Sequence, residues 1–150
     1  MGKLGGSAST EIEAPLADVW TAVEDVLAAP SWQGGLDKLT ALEHDDDRRP
    51  TLVETENDIK VRQIKTLVRF RYDGPTRLSW KQEKGDMKSV EGSWELEDLG
   101  DGRTRATYGL DVDPGRMLGM LLRGPVEGQV RNFLLGGAAE GLKQKAEAGS

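Results

Sequence analysis

The feature that most constrains this chain is the order of its secondary-structure signals. One short alternating segment is followed by an amphipathic helix, a series of alternating segments separated by turns, and finally a long apolar helix rich in glycine. Each strand of an antiparallel sheet has an apolar face that must be covered. The C-terminal helix is the main cover that this sequence offers. We therefore predict a curved sheet wrapped around one helix, with an internal cavity between them.

The N-terminal part of the chain carries clear boundary signals. We expect a flexible leader over residues 1–6, followed by a strand over Ser7–Glu13 in which small or apolar residues alternate with polar ones. Pro15 suits the first turn of a helix, because an N–H at that position would be unpaired in any case. Apolar residues at helical spacing continue as far as Leu27, and Pro30 is expected to end this helical region.

The central segment, from Leu36 to Val112, alternates between apolar and polar residues and is interrupted by turns that contain Gly and Pro. With the first strand, this pattern predicts about seven strands. A Gly-Pro pair divides the final apolar segment into a short lead-in and a main helix from about Pro125 to Glu147. The residues expected to face inward on the later strands are Ile64, Thr66, Val68, Phe70, Tyr72, Leu78, Trp80, Val90, Trp94, Leu96, Ala106, Tyr108, Leu110 and Val112.

Composition excludes several classes of function. The chain has no cysteine and one histidine, so thiolate catalysis, disulfides and metal sites built from Cys or paired His are excluded. The formal net charge of −6 argues against nucleic acid as a partner, because that binding needs clustered Lys and Arg. The run Asp45–Asp47 lacks the ligand spacing of a calcium loop and predicts a solvated turn. No metal or cofactor is expected. Without a membrane-spanning segment or signal sequence, the chain is expected to be soluble and cytoplasmic.

A set of short motifs follows the order of the predicted elements. They are Ala8-x-Thr10-x-Ile12-x-Ala14-Pro15-x-x-x-Val19-Trp20, Pro30-x-Trp32, Pro75-x-Arg77-Leu78-x-Trp80, Gly92-x-Trp94-x-Leu96 and Leu99-Gly100-Asp101-Gly102-x-Thr104. With the element order β-α-α-β₆-α, the chain resembles the START-like superfamily, also called SRPBCC or helix-grip, of the polyketide cyclase/dehydrase and lipid-transport type. The resemblance implies an α+β fold with about seven antiparallel strands curved around a long C-terminal helix, and two short helices after the first strand. It also implies one START-like ligand-binding domain over residues 7–150.

Inward-facing residues around the expected cavity are candidates for binding a small hydrophobic molecule such as a lipid, an isoprenoid quinone or a polyketide-like compound. On the strands these candidates are Thr66, Val68, Phe70, Trp80, Trp94, Tyr108 and Leu110, and on the C-terminal helix they are Val130, Phe133 and Leu134. Met117, Met120 and Leu121 are expected near the mouth as part of a hydrophobic gate, because flexible thioethers adapt to varied ligands. No catalytic residue is assigned.

Several aromatic residues allow two interpretations from the sequence. Trp20 and Trp32 fit structural anchors, and the inward Trp80 and Trp94 fit either cavity lining or packed core. The hydroxyl of Tyr72 is expected to bond backbone or solvent. Tyr108 is mid-strand and is the better candidate to orient a ligand.

The final predicted helix contains several glycines and a pair of oppositely charged residues. Glycine in a helix interior costs about 1 kcal/mol relative to alanine. We therefore expect Gly136 and Gly137 to allow close packing on the sheet, a kink, or cavity volume, with close packing favoured. Glu127 and Arg131 are four residues apart, which predicts an ordinary surface ion pair.

Binding without catalysis is favoured over an enzyme, because no His, Cys or buried carboxylate pair accompanies the expected cavity. The main alternative is a cyclase or aromatase that folds a polyketide chain in the same cavity, with catalysis that rests largely on positioning. A third alternative is an accessory protein whose cavity is filled by its own side chains. A transient contact with a membrane and the oligomeric state stay open.

Overall fold

A computed structural model of the chain describes residues 4–34, 36–58, 62–121 and 124–148. Its strands are β1 (Leu4–Ile12), β2 (Leu36–His44), β3 (Pro50–Asp58), β4 (Gln63–Asp73), β5 (Arg77–Gly85), β6 (Ser89–Gly100) and β7 (Arg103–Asp113). They form one curved antiparallel sheet in the order β1-β7-β6-β5-β4-β3-β2. The predicted α+β, helix-grip fold is therefore confirmed.

The first strand begins earlier than the sequence indicated. Leu4, Gly5 and Gly6 pair with β7, opposite Val112, Asp111 and Leu110. The last three residues of the segment expected to be a flexible leader are therefore part of the sheet. These residues belong to the sheet because they pair with β7. Glycine is depleted in strands, so the sequence did not predict a strand at Gly5 and Gly6.

Two short helices cross from β1 to β2, as predicted, but with different boundaries. Helix α1 spans Leu16–Glu24, with Pro15 immediately before its first turn. A 3₁₀ helix then spans Val26–Ser31 and contains Pro30, which was expected to end the helical region. Leu27 was expected on the apolar face and is instead 43% exposed, because the tighter 3₁₀ turn rotates it away from the core.

The C-terminal segment forms helix α2 over Gly115–Leu121 and helix α3 over Pro125–Ala148, as predicted. Lys143 Nζ donates to the carbonyl of Glu11 at 2.9 Å, and the backbone N–H of Glu13 donates to Glu147 Oε2 at 2.9 Å. This N–H, together with the Lys143 ammonium, lowers the pKa of the Glu147 carboxyl. These contacts fix the end of α3 against β1.

The glycines of α3 do not share one role. A Cβ atom at Gly136 or Gly137 would meet nothing within 4 Å, so the expectation that these two allow close packing is wrong. Gly141 does have that role, because a Cβ atom there would overlap the carbonyl oxygen of Trp32. Among the described glycines of α3, Gly141 is therefore the one that allows close approach to another segment.

The core consists of two clusters. The larger contains residues of α1, the later turns of α3 and the inner faces of several strands, including Val19, Leu78 and Leu142. The smaller cluster contains Val130 of α3, which is fully buried, together with Ile64, Met87 and Val112. Within the described ranges, no helix is long and apolar enough to cross a bilayer.

Candidate functional site

A cavity of about 130 Å³ lies between the inner face of the sheet and the helices that cover it. Its walls include members of both core clusters, such as Trp94 from the larger and Val112 from the smaller, so the cavity lies between them. None of the described residues that line it is charged, and most are aliphatic or aromatic. Gly34, at the connection between the 3₁₀ helix and β2, is the exposed member of this lining.

Most of the residues predicted to bind a ligand line this cavity. They are Thr66, Val68, Phe70, Trp80, Trp94, Tyr108, Leu110 and Leu134. All except Leu134 are on strands, where alternation decides which face of the sheet a side chain takes. The register agrees with this placement, because Trp80 is opposite Gly92 and Trp94 is opposite Tyr108.

The other predicted residues lie elsewhere. Val130 is packed in the smaller core cluster and does not reach the cavity wall. Phe133 lies beside Gly34, outside the lining residues. Met120 is 60% exposed on α2. The side chains of Met117 and Leu121 lie outside the part of the chain that the structure describes.

Three polar residues that were not predicted to bind a ligand also line the cavity. Gln33 follows the 3₁₀ helix, and Thr55 and Asn57 are on the inner face of β3. The alternation of Val53, Thr55 and Asn57 could have indicated the strand residues. No local pattern indicates Gln33, because its position depends on how the 3₁₀ helix packs on the sheet.

Aromatic rings form a continuous row along the cavity wall. The ring centroids of Phe70 and Trp80 are 5.9 Å apart, those of Trp80 and Tyr108 are 5.7 Å apart, and those of Tyr108 and Trp94 are 4.8 Å apart. Trp32 extends the row, with its centroid 6.2 Å from that of Trp94. All four pairs are tilted, the arrangement that aromatic quadrupoles favour over a direct sandwich. Phe70 is opposite Trp80 on paired strands, and Trp94 is opposite Tyr108. The ring of Trp80 contacts that of Tyr108 across β6, where Gly92 carries no side chain.

The central ring of this row depends on a glycine in the next strand. The indole of Trp80 lies across the backbone of Gly92, its partner in the register between β5 and β6. A Cβ atom at residue 92 would overlap the indole. Gly92 therefore allows Trp80 to lie close to the sheet and leaves space above the ring.

Tyr108 is the titratable group in the described lining. Burial raises the pKa of Tyr108 to about 12, and a hydrogen bond from the side chain of Gln33 lowers it in part. The phenol therefore stays neutral at physiological pH.

Trp32 contributes a further polar group to the aromatic row. Its indole Nε1 is buried and has no hydrogen-bond acceptor within range. The backbone holds this side chain in place, because the N–H of Trp32 donates to the carbonyl of Ala29 at 3.0 Å and Gly141 of α3 packs on its carbonyl. A buried N–H without a partner costs about 1–3 kcal/mol.

A short hydrogen-bonded chain lines another part of the wall. Thr55 Oγ1 donates to Asn57 Oδ1 at 3.0 Å, and the hydroxyls of Thr55 and Thr66 are 2.6 Å apart. Because Thr55 has a single hydroxyl proton, Thr66 is the donor in the second bond. The Thr66 hydroxyl is therefore occupied as a donor and can offer the cavity only acceptor lone pairs.

Tyr72 was expected to have a structural role, and its contacts agree. Its hydroxyl donates to the carbonyl of Pro50 at 2.6 Å, and the Arg49 guanidinium lies 4.6 Å from its ring centroid. Arg49 in turn pairs with Glu24 and with Asp45. This group ties α1 to the loop between β2 and β3, and Tyr72 does not line the cavity.

The acidic run Asp45–Asp47 and the pair of Glu127 and Arg131 both take the arrangement that the sequence predicted. Asp45 accepts from the backbone N–H groups of Asp47 and Arg49, so the acidic run is a hydrogen-bonded turn. Across the described residues, no group of acidic or histidine side chains is arranged to hold a metal ion. Glu127 and Arg131 form the predicted ion pair between successive turns of α3.

Comparison with known proteins identifies the family. Residues 12–135 match the family described as polyketide cyclase / dehydrase and lipid transport. The chain belongs to this family. The match extends from the end of β1 to the middle of α3, and it therefore includes the described residues of the cavity wall. A search of the curated proteins found no match to the sequence.

Solved structures share the fold at low sequence identity. A START superfamily protein from Mycobacterium smegmatis superposes with a TM-score of 0.83 at 20% identity, with 97% of this chain and 99% of that chain covered. A protein from Thermus thermophilus gives 0.83 at 19% identity, with the same coverage. The Zhui aromatase/cyclase from Streptomyces sp. R1128 gives 0.73 at 18% identity and covers 97% and 94%. At these identities the likeness establishes the fold alone.

Proposed function

We propose that this protein binds a small hydrophobic molecule in the cavity between the sheet and α3. The observation that carries the proposal is an uncharged, largely apolar wall that includes five aromatic side chains and a few polar ones, such as Tyr108 and Gln33. Apolar walls with a few placed polar groups are typical of ligand sites, because the walls supply affinity and the polar groups fix orientation. Membership of a family that includes lipid transport is consistent with this function.

A cyclase or aromatase that uses the same cavity is the alternative. One observation favours it, namely that the phenol of Tyr108 faces the cavity beside Gln33. With a pKa of about 12, however, the phenol is a weak acid and is not ionised to act as a base. The described lining contains no carboxylate or histidine to take that role. The chemistry of the wall therefore supports binding more strongly than catalysis.

The test is isothermal titration calorimetry of the folded protein. The compounds titrated are toluene, indole, 1-anilinonaphthalene-8-sulfonate and dodecanoic acid. We expect saturable binding of at least one compound at one site per chain. Val68→Phe fills the cavity and should weaken that binding at least tenfold. Leu67→Phe is the matched control, because Leu67 is adjacent in β4 and does not line the cavity. Absence of saturable binding by every compound would refute the proposal.

A gate at α2 remains part of the proposal. Met120 is 60% exposed there, and glycines with positive φ, Gly115 at 81° and Gly124 at 66°, flank the helix. Met120→Ser should change the free energy of unfolding by less than about 0.5 kcal/mol, as at other exposed sites. It should alter the rate at which a bound compound is released, measured by stopped-flow displacement. An unchanged release rate would contradict a gate at α2.

A further inference from the structure

A second pocket lies on the surface of the protein, next to the cavity. It has a volume of about 340 Å³, and it is formed where the turn between β5 and β6 meets the starts of β4 and α2. Its described lining residues are Arg62, Asp86, Met87, Lys88, Pro114, Gly115 and Arg116. Of the described residues, Met87 alone lines both this pocket and the cavity. The surface pocket and the apolar cavity therefore meet at Met87.

The surface pocket carries more positive than negative charge. Arg62, Lys88 and Arg116 are exposed, and among the described residues neither arginine forms an ion pair. Lys88 Nζ is 4.0 Å from Asp113 Oδ2, which is a long contact for an ion pair. The whole chain has a formal net charge of −6, so this group of cations is a local exception to the charge of the protein.

The two carboxylates near these cations are engaged by the backbone. Asp86 Oδ2 accepts from the N–H of Lys65 at 2.8 Å, and the N–H of Asp86 donates to the carbonyl of Lys65 at 2.9 Å. Asp113 Oδ1 accepts from the N–H of Gly115 at 2.9 Å, and the carbonyl of Asp113 accepts from the N–H of Lys88 at 2.9 Å. These bonds hold the turn between β5 and β6 against β4 and against the start of α2. The backbone that carries the cations is therefore fixed.

The cavity and the surface pocket suit different parts of one ligand. No described residue that lines the cavity is charged, and burying an unpaired charge is costly, so a charged group does not enter it. The cavity volume of about 130 Å³ suits a single ring, since about 150 Å³ accepts benzene. Outside, the forked N–H donors of Arg62 and Arg116 match the oxygens of a phosphate or a carboxylate.

From these observations we infer that the ligand is an anionic amphiphile, with an apolar part in the cavity and an oxyanion in the pocket of Arg62, Lys88 and Arg116. The inference rests on the proposed function, because it specifies the ligand class of the same cavity. Met87 lies between the two parts, and its unbranched side chain adapts to the linker that joins them.

The first experiment compares three ligands on the unmodified protein by isothermal titration calorimetry. 4-Phenylbutyl phosphate carries the ring, the linker and the oxyanion, whereas 4-phenylbutanol lacks the charge and inorganic phosphate lacks the apolar part. An exposed ion pair corresponds to about 1.4- to 5-fold in affinity. The two arginines together should therefore favour the ester over the alcohol by about 2- to 25-fold. Inorganic phosphate should bind more weakly than the ester.

Salt provides an independent measure of the charge contribution. Raising the ionic strength from about 0.01 to 1 M shortens the Debye length from about 30 to 3 Å. The preference for the ester over the alcohol should decrease over this range, because the arginines are exposed. A preference that does not change with salt would contradict an oxyanion held by these cations.

The second experiment removes the charges. The double variant Arg62→Gln, Arg116→Gln should reduce the preference for the ester to less than about twofold and leave the affinity for 4-phenylbutanol unchanged. The matched control is Arg48→Gln, Arg71→Gln, which removes two exposed arginines at the other end of the sheet. Arg71 is near the C-terminal end of β4, whereas Arg62 immediately precedes its first residue. The control should keep the preference.

Two further measurements locate the apolar part and the source of the oxyanion. Val68→Phe, which fills the cavity, should weaken binding of the ester, and unchanged binding would show that the ring lies outside the cavity and refute the inference. Sedimentation with phosphatidylcholine vesicles, with and without phosphatidic acid, distinguishes a lipid headgroup from a soluble ester. Binding to both the ester and the acidic vesicles assigns the headgroup, and binding to the ester alone assigns a soluble compound. Binding to the acidic vesicles alone would overturn the inference.

The outcomes separate this inference from the proposed function. Saturable binding of toluene, with equal affinity for the ester and the alcohol, would overturn the anionic amphiphile and leave the proposed function in place. If no compound in either series binds, both proposals fail. Because the ligand comparison uses the unmodified protein, its result stands whether or not the variants fold.

Discussion

Replacing Gly92 with alanine should destabilise the protein by moving Trp80. The new Cβ atom would overlap the indole, so the ring must shift. Phe70 and Tyr108 flank Trp80, with ring centroids 5.9 and 5.7 Å away, and they prevent a sideways movement. The indole is therefore expected to rise off the sheet into the cavity.

The size of the effect follows from two opposing terms. Alanine in place of glycine in a strand gains about 0.5–1 kcal/mol from backbone entropy. Forcing extra volume into a packed region costs about 1–3 kcal/mol. Gly109→Ala, in the neighbouring strand β7, isolates the first term, because a Cβ atom there would meet Ser93 Oγ at an ordinary 3.5 Å. The two variants should therefore differ by about 1–3 kcal/mol, with Gly92→Ala the less stable.

Urea denaturation of both variants measures this difference directly. In a thermal scan the difference should be about 2–12 °C, since 1 kcal/mol corresponds to about 2–4 °C for a chain of this length. Gly92→Ala should also weaken the binding of toluene in the cavity, because the displaced side chain of Trp80 occupies part of the cavity. Equal stability of the Gly92 and Gly109 variants would show that Trp80 does not depend on the glycine.

Two further predictions concern α3. Gly136→Ala and Gly137→Ala should each raise the free energy of unfolding by about 1 kcal/mol, because a methyl group meets open space there. Gly141→Ala should lower it, because the methyl group would overlap the carbonyl of Trp32, and an increase measured by urea denaturation would contradict this packing. The pKa of Glu147 lies below its ordinary value of 4.5 in the folded chain. Its contribution to stability is therefore complete above about pH 4.5 and is lost as the pH falls through the lowered pKa. The stability difference between the unmodified chain and Glu147→Gln should shrink on acidification, and a difference that is constant from about pH 7 to pH 3 would refute the assignment.

The strand half of the site could be predicted from the sequence because alternation is a local property. Phe70, Trp80, Trp94 and Tyr108 each follow a two-residue period within their own strand, and that period determines their common face. Once the sheet has formed, residues with the same parity on paired strands become neighbours. The aromatic row is therefore already specified by strand patterns, although its distances are not.

The helical half of the site could not be predicted in the same way. Val130, Phe133 and Leu134 are apolar residues at helical spacing, and each was expected to line the cavity. Leu134 alone of these three lines it, while Val130 packs in the smaller core cluster. The rotation of α3 about its axis decides which of them reaches the cavity. That rotation is set by docking contacts with β1, such as the bond from Lys143 to the carbonyl of Glu11.

The sequence by itself determined the order of the elements, the inward face of each later strand and the absence of Cys-based or paired-His chemistry. The tertiary structure alone decided the cavity volume, the position of Gln33 beside Tyr108 and the burial of the Trp32 N–H without an acceptor. The physical reason is the range of the interactions involved. Strand faces follow from the covalent period of the chain, whereas the space between sheet and helices depends on how closely distant segments pack, as Gly141 does against Trp32.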